Sequence, residues 1–191
     1  ERAFAAFRAA RQETGLEFAK VLLNAGELSF ETGDFRDAVE KHRQAVAIEE
    51  ALPSVPDARL VVAGDPLDPV EQTELDGRVE WRLGFRPEAE VHELMGQAAV
   101  VVLPYRRLDS SGVLATAIGY RRPVVVTDVG SLGEIVREFG AGEVVPPGDA
   151  EALAEAIERL LEPKALAAAH AGAERAAAEL TWARSAAEHD R

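Results

Sequence analysis

Hydrophobic positions after residue 52 fall into short runs that alternate with amphipathic stretches. Runs without polar residues, such as Leu60–Ala63 and Val100–Leu103, are typical of strands buried on both faces of a parallel sheet. The stretches between the runs place apolar residues at helical spacing. This alternation predicts βαβ units, and therefore an α/β fold in which helices cover both faces of a parallel sheet.

The pattern also gives approximate bounds. The predicted strands cover residues 59–64, 79–83, 98–103, 123–127 and 143–145. The predicted helices cover residues 88–97, 111 to the turn at 121–123, 132–139, 150–161 and 165–178. Asp149 is expected to cap the fourth of these helices, Gly172 to interrupt the last one softly, and Leu180–Trp182 to introduce another helix.

Residues 1–52 carry no strand pattern and are predicted to form helices. Thr14–Gly15 ends the first helix, and Gly33–Asp34 forms the turn between the second and the third. The pattern changes at Pro53–Pro56, where two prolines precede the first apolar run. We therefore expect a helical segment over residues 1–52 and an α/β domain over residues 53–191.

Composition narrows the classes of function. The chain has no cysteine, which excludes disulfides and favours a reducing compartment, so we expect a cytoplasmic protein. A net charge of −13 repels nucleic-acid backbones, and no apolar run is long enough to span a membrane. The four histidines lack the spacing of metal ligands and are expected at the surface. We predict neither a nucleic-acid partner nor a metal site.

Residues 110–127 read as a loop, a short helix, a turn and a buried strand. A helix that begins beyond the end of a parallel strand presents free backbone N–H groups and the positive end of its dipole, which can hold a phosphate. Ser110 or Ser111 can equally be no more than an N-cap, and the residues by themselves leave both interpretations open. Arg106, Arg107 and the pair Arg121–Arg122 are candidates for local positive charge.

Residues 22–48 resemble a tetratricopeptide repeat. Small residues at Gly26, Ala38 and Ala45 match the positions where two antiparallel helices pack closely, whereas His42 stands where the repeat usually has a large apolar residue. The resemblance implies a helical hairpin. Because a solitary repeat cannot bury its apolar face alone, a protein partner is expected to bind through residues 17–50.

From residue 55 onward the sequence resembles the carboxyl-terminal, donor-binding half of GT-B glycosyltransferases of family 4. The stretches that carry this resemblance are residues 55–65, 83–87, 100–105, 110–136, 144–153 and 180–182. The resemblance implies a Rossmann-like parallel sheet and transfer of a sugar from a nucleotide-sugar donor with retention of configuration. It implies no cofactor and no obligatory metal.

The resemblance also implies positions for the donor. The backbone amides expected to face its diphosphate or sugar are those of Ser111, Gly112 and Val113. The loop that contains Arg86 would lie beside the nucleobase. Thr116 stands where the family usually has a glutamate that holds the ribose hydroxyls, and Asp109 is the carboxylate nearest to the family's other glutamate. A threonine accepts a hydrogen bond less strongly than a carboxylate does.

The chain departs from the family pattern at its start. The family's donor domain begins with a central strand and a loop carrying arginine and lysine, but the tetratricopeptide-like helices occupy that place here. The missing strand would leave a gap between residues 59–63 and 100–103, or force them to re-pair. We therefore expect a fragment or a natural fusion with weak donor binding and no turnover. The alternative is a non-catalytic interaction module.

Overall fold

The computed structural model describes residues 59–64, 77–105 and 111–180. The strands in these ranges are β1 (Leu60–Gly64), β2 (Val79–Leu83), β3 (Val101–Leu103), β4 (Val124–Thr127) and β5 (Gly142–Val145). The helices are α1 (Glu88–Gln97), α2 (Gly112–Gly119), α3 (Leu132–Phe139), α4 (Ala150–Leu161) and α5 (Pro163–Glu179). The predicted α/β class is confirmed.

Some predictions fall elsewhere in the chain. The helical segment 1–52, its boundary with the α/β domain and the helix after Trp182 lie outside the described residues. Within those residues, no helix combines the length and apolar character needed to cross a membrane.

All strand pairs in the structure are parallel. β1 pairs with β2, starting with Leu60 opposite Val79, whereas β3, β4 and β5 form a second ladder in that order. Within the described ranges no hydrogen-bonded ladder joins β1 to β3. In the part of the chain that the structure describes, β1 and β3 have therefore not re-paired with each other.

Both faces of the sheet are buried, although its hydrogen bonds are interrupted. Leu60, Val62 and Val102 pack in a cluster with α4 and the first half of α5. The intervening residues Val61 and Val101 point to the other face and pack in a cluster with α1, α2, α3 and the second half of α5. Full burial of each such side chain contributes about 1.5–3 kcal/mol. These two apolar layers hold β1 and β3 in one core without a ladder between them.

Most element bounds agree with the sequence prediction, and the differences have local causes. Helix α4 begins after Asp149, whose carboxylate accepts a hydrogen bond from the Ala152 N–H at 2.9 Å, as expected. Strand β3 is shorter than predicted because Ala98 ends α1, donating its N–H to the Leu94 carbonyl. Helix α5 begins with Pro163 in its first turn, where proline costs no hydrogen bond.

The predicted interruption of α5 at Gly172 is wrong. The helix runs unbroken through this residue, which packs against the end of α3. A Cβ at Gly172 would lie 2.1 Å from the carbonyl oxygen of Gly140, far inside van der Waals contact. Gly172 therefore lets two backbones approach each other, and its place in the sequence reflects packing and not a helix break.

Candidate functional site

The carboxyl ends of the strands share one edge of the molecule. In a parallel sheet the loops that leave this edge surround the usual ligand site. The loops described here are those after β2, β4 and β5, together with the first residues after β3. Helix α2 begins at the same edge, which places residues 111–113 among these loops.

The amino terminus of α2 has both a cap and free donors. The Ser111 hydroxyl oxygen accepts a hydrogen bond from the Leu114 N–H at 3.1 Å, so the capping interpretation is confirmed. The N–H groups of Gly112 and Val113 precede the first intrahelical bond, which runs from Ala115 to the Ser111 carbonyl. Neither donates to an acceptor within the described ranges. The cap leaves two adjacent N–H groups at the positive end of the helix dipole, so capping and anion binding are compatible here.

Thr116 lies one turn further along α2. Its hydroxyl donates to the Gly112 carbonyl at 2.9 Å, a local bond that uses its only hydrogen. The oxygen lone pairs remain able to accept a hydrogen bond from a ligand hydroxyl. Asp109 lies outside the described residues, as do Arg106 and Arg107.

Arg86 is turned toward its own loop. Its Nε donates to the Gly84 carbonyl at 3.1 Å, its Nη2 donates to the Leu83 carbonyl at 2.8 Å, and its Nη1 lies 3.4 Å from Glu90. Gly84 has a φ of 97°, which permits the tight turn that these bonds close. The guanidinium thus shapes the loop and leaves Phe85 exposed over 79% of its surface at the carboxyl edge.

The loop after β4 carries an ion pair. Asp128 accepts two hydrogen bonds from the Arg137 guanidinium, at 3.0 and 2.6 Å. These bonds lower the pKa of the Asp128 carboxyl below its ordinary value. The pair passes over Gly133, where a Cβ would lie 2.3 Å from an Asp128 oxygen. Arg137, in the last turn of α3, is therefore engaged with the loop after β4.

Two of the arginines suggested by the sequence lie at the wrong end of the sheet. Arg121 and Arg122 precede β4, so they stand at its amino end, opposite the start of α2. Arg122 donates to the Ala98 carbonyl at 3.3 Å, and burial lowers the pKa of its guanidinium. These residues do not supply charge to a ligand at the carboxyl edge.

His170, in α5, is half-buried and contacts the turn before β4. Its Nδ1 lies 3.0 Å from the Arg121 carbonyl and therefore donates to it. Burial lowers the pKa of this imidazole. Within the described ranges, no three His, Asp or Glu side chains lie close enough together to hold a metal ion.

Sequence reasoning missed two polar residues that organise the carboxyl edge. Thr127 is 3% exposed, and the carbonyls of Tyr105 and, at 3.4 Å, Leu103 share the single hydrogen of its hydroxyl. The Tyr105 hydroxyl lies 3.5 Å from the Ser111 hydroxyl. A polar residue that ends an otherwise apolar strand was the available signal, because a buried hydroxyl requires a partner.

Comparison with known protein families identifies the family of this chain. A family model described as "Glycosyl transferases group 1" matches residues 19–163. The chain belongs to this family. The match begins within the predicted helical segment 1–52 and crosses the predicted boundary at residue 52. The predicted glycosyltransferase family is therefore confirmed at the level of group 1, over most of the chain.

Several individual proteins are similar to this chain over part of their own length. Alpha-D-kanosaminyltransferase from Streptomyces kanamyceticus is 29% identical over 157 residues, which are 80% of this chain and 39% of that protein. Sucrose-phosphate synthase from Thermosynechococcus elongatus superposes with a TM-score of 0.68 and 23% identity, over 97% of this chain and 47% of that one. The catalytic domain of starch synthase IV from Arabidopsis thaliana, bound to ADP and acarbose, superposes with a TM-score of 0.66 and 16% identity. That match covers 96% of this chain and 40% of the other. The chain thus spans less than half of the length of each.

Proposed function

We propose that the chain forms the donor-binding part of a retaining GT-B glycosyltransferase of family 4, whose donor is a nucleoside diphosphate sugar. The start of α2 carries this proposal. Two adjacent N–H groups, those of Gly112 and Val113, lack an acceptor within the described ranges at the carboxyl edge of a parallel sheet. Such helix starts bind phosphate because donors and dipole both favour an anion. The ADP bound to the structurally similar starch synthase supports a nucleoside diphosphate.

The candidate residues divide into ligand contacts and supports. The N–H groups of Gly112 and Val113 would donate to the diphosphate, whereas Ser111 holds the helix start through Leu114. Thr116 would accept a hydrogen bond from a ribose hydroxyl, and Asp109 stays our candidate for a second acceptor. Arg86 would hold its loop in the conformation that lies beside the nucleobase and would not itself bind the base. Three of its donor groups already bind the loop backbone and Glu90.

Electrostatics predicts that the donor binds weakly to this chain alone. The chain carries a net charge of −13. Two described arginines lie near this edge, and both are paired with carboxylates. Arg86, in the loop after β2, pairs with Glu90, and Arg137 of α3 pairs with Asp128 in the loop after β4. Backbone dipoles would therefore hold the diphosphate without a free cation from these loops. Because stabilisation of developing charge is often the largest catalytic contribution, we expect donor binding without sugar transfer.

Calorimetric titration with UDP, GDP and ADP, and with the corresponding hexose donors, tests the proposal. A matched pair of variants at Gly112 isolates the backbone donor. Gly112→Pro removes this N–H at the first helical position, where proline is tolerated, and Ser111 already has the extended conformation that precedes proline. Gly112→Ala keeps the N–H, and its Cβ would meet nothing within 4 Å.

We expect Gly112→Pro to weaken nucleoside diphosphate binding by about tenfold or more, the loss of one charged hydrogen bond. Gly112→Ala should retain most of the affinity, and uridine, guanosine and adenosine should not distinguish the two variants. Equal diphosphate affinity for both variants would contradict the assignment of the phosphate to α2. Efficient sugar transfer by the unaltered chain would contradict the expectation of no turnover.

The remaining parts of the proposal concern the rest of the chain. We place the domain boundary at residue 52, a protein partner on residues 17–50 and the protein in the cytoplasm. The tetratricopeptide-like spacing supports the first two, and the absence of cysteine supports the third. Binding of a partner by residues 17–50 without any nucleotide affinity would favour the interaction module over the donor domain.

A further inference from the structure

We propose that Thr127 and Tyr105 are positioning residues that fix the amino terminus of α2 against the ends of β3 and β4. This inference rests on the proposed function for its consequence, because that function assigns the diphosphate to the N–H groups of Gly112 and Val113. The connection has three polar links: from Thr127 to the backbone of Tyr105, from Ser111 to the side chain of Tyr105, and from Leu114 to Ser111.

The first link begins in the core. The three residues before Thr127 in β4 are valines with no exposed surface, and Thr127 is itself 3% exposed. Valine would fill nearly the same volume without a buried hydroxyl, which costs free energy unless it is hydrogen-bonded. The Thr127 hydroxyl does find acceptors, and both the Leu103 and the Tyr105 carbonyl belong to the neighbouring chain segment.

These bonds extend the contact between β3 and β4 beyond their ladder. The last paired residues are Leu103 and Val126. The Thr127 hydroxyl then reaches the carbonyl of Tyr105, two residues past the end of β3. It thereby holds the segment that leaves β3 toward α2.

The second and third links pass from Tyr105 to the helix. The Tyr105 ring packs against the apolar cluster on the face of α1, α2 and α3. Burial raises the pKa of its hydroxyl, so the phenol stays protonated near neutral pH. The Ser111 hydroxyl donates to the Tyr105 oxygen at 3.5 Å and accepts from the Leu114 N–H at 3.1 Å. The first turn of α2 is thus tied to a ring that the core holds in place.

The position of this turn determines where the free N–H groups point. A displacement of about 1 Å at a binding or catalytic group can reduce a rate about a hundredfold. Thr127 and Tyr105 need not contact the ligand to affect its binding, because they hold the helix that does. This role explains why a polar residue occupies the end of a strand that is otherwise apolar and fully buried.

Three substitutions test the connection. Thr127→Val removes the hydroxyl and keeps the shape, Thr127→Ser keeps the hydroxyl, and Tyr105→Phe removes only the phenol oxygen. Tyr120→Phe is the matched control, since Tyr120 lies at the carboxyl end of α2, where its ring contacts His92 edge-on. The measurements are hydrogen exchange of the Leu114 amide by NMR and calorimetric affinity for UDP, GDP and ADP.

We expect Thr127→Val and Tyr105→Phe to speed exchange of the Leu114 amide about tenfold, relative to the amide of Val125, and to weaken binding of the preferred nucleotide by about five- to tenfold. Thr127→Ser and Tyr120→Phe should leave both values near those of the unaltered chain. Comparison with Val125 separates local loosening from a general loss of stability.

The exchange measurement does not require a bound nucleotide, so the two proposals can fail separately. Unchanged relative exchange at Leu114 in Thr127→Val and Tyr105→Phe would overturn the positioning role, whatever the affinities. Faster exchange at Leu114 with unchanged nucleotide affinity would support the connection and contradict the placement of the diphosphate on α2.

Discussion

The helix ends at the two edges of the sheet differ in their hydrogen bonding. At the amino edge, side chains bind backbone carbonyls: His170 and Arg175 of α5 donate to the carbonyls of Arg121 and Phe139 at 3.0 and 2.7 Å. At the carboxyl edge, the N–H groups of Gly112 and Val113 have no acceptor in the described part of the chain. Because Gly112 is exposed, its N–H is accessible to a ligand at the positive end of the α2 dipole.

This difference suggests that contacts at the amino edge stabilise the fold, whereas the carboxyl edge serves ligand binding. Helix α5 reaches both carbonyls of the amino edge because it lies close to the ends of α2 and α3, with Gly172 against the Gly140 carbonyl. The carboxyl edge instead has an exposed Phe85, and the loops after β2 and β4 are held by Arg86 and by Arg137 of α3. We therefore expect substitutions at the amino edge to change the free energy of unfolding, and substitutions at the carboxyl edge to change mainly affinity.

The largest expected effect is that of Gly172→Ala. The added Cβ would lie 2.1 Å from a backbone oxygen that cannot rotate away, so α5 must shift. We expect urea unfolding to show a loss of about 2–3 kcal/mol.

Two other glycines serve as controls. Gly133→Ala, at the carboxyl edge, meets the ends of the flexible Asp128 and Arg137 side chains and should cost less. Gly96→Ala has no atom within 4 Å and should be neutral or slightly stabilising, because alanine favours the helix. Equal losses for Gly172→Ala and Gly96→Ala would refute the packing explanation.

Removal of the Arg175 cation should have an intermediate effect. Arg175→Met keeps an apolar stem of similar length but removes the donor to the Phe139 carbonyl at the end of α3. Because Arg175 is an exposed residue whose hydrogen bond is only part-buried, we expect a loss of about 1 kcal/mol in the same unfolding measurement.

Arg159→Met offers a matched comparison. Among the described residues, Arg159 pairs with Glu155 and Glu143 at the surface, and such exposed ion pairs contribute about 0.5 kcal/mol or less. A loss for Arg175→Met no larger than that for Arg159→Met would show that the amino edge does not depend on this bond.

The smallest effect concerns pH and His170. Burial lowers the pKa of this imidazole in the folded chain, with Arg122 adding to the shift and Glu174 opposing it. The unfolded chain therefore binds the proton more readily, so stability is lost as the pH falls through about 6.5, the ordinary histidine value. His170→Asn, whose amide can donate to the Arg121 carbonyl, should lack this part of the pH dependence.

Urea unfolding at pH 7.5 and pH 5.5 measures the difference between the two chains. The unaltered chain should lose more stability than His170→Asn on acidification, and the gap should be small because the ring is only half-buried. Parallel pH profiles for the two chains would be incompatible with this contribution from His170.

Much of the fold could be predicted because its signals are local. Apolar runs and helical spacing predicted all five strands and all five helices of the described ranges, with bounds within a few residues. Asp149 and Ser111 could be recognised as caps because each bonds an N–H three residues away. The helix start at Gly112 also follows from these signals, since it comes directly after a capping residue.

The sequence could not predict which polar residues share an edge. Arg121 and Arg122 were candidates for charge near a phosphate, but the direction of β4 places them at the amino end. Arg86 was a candidate for donor contact, yet its guanidinium bonds to its own loop. Side-chain direction depends on which carbonyls lie within reach, and residue type alone does not specify this.

The sequence by itself determined the α/β alternation, the capped start of α2 and the acidic charge, because each depends on neighbouring residues or on totals. Only the tertiary structure decided what Thr127, His170 and Gly172 do. The Thr127 hydroxyl bonds to the Tyr105 carbonyl, 22 residues away in sequence, and His170 bonds to the Arg121 carbonyl, 49 residues away. Parallel crossovers and packing bring such pairs together, so their partners follow from the fold and not from the local pattern.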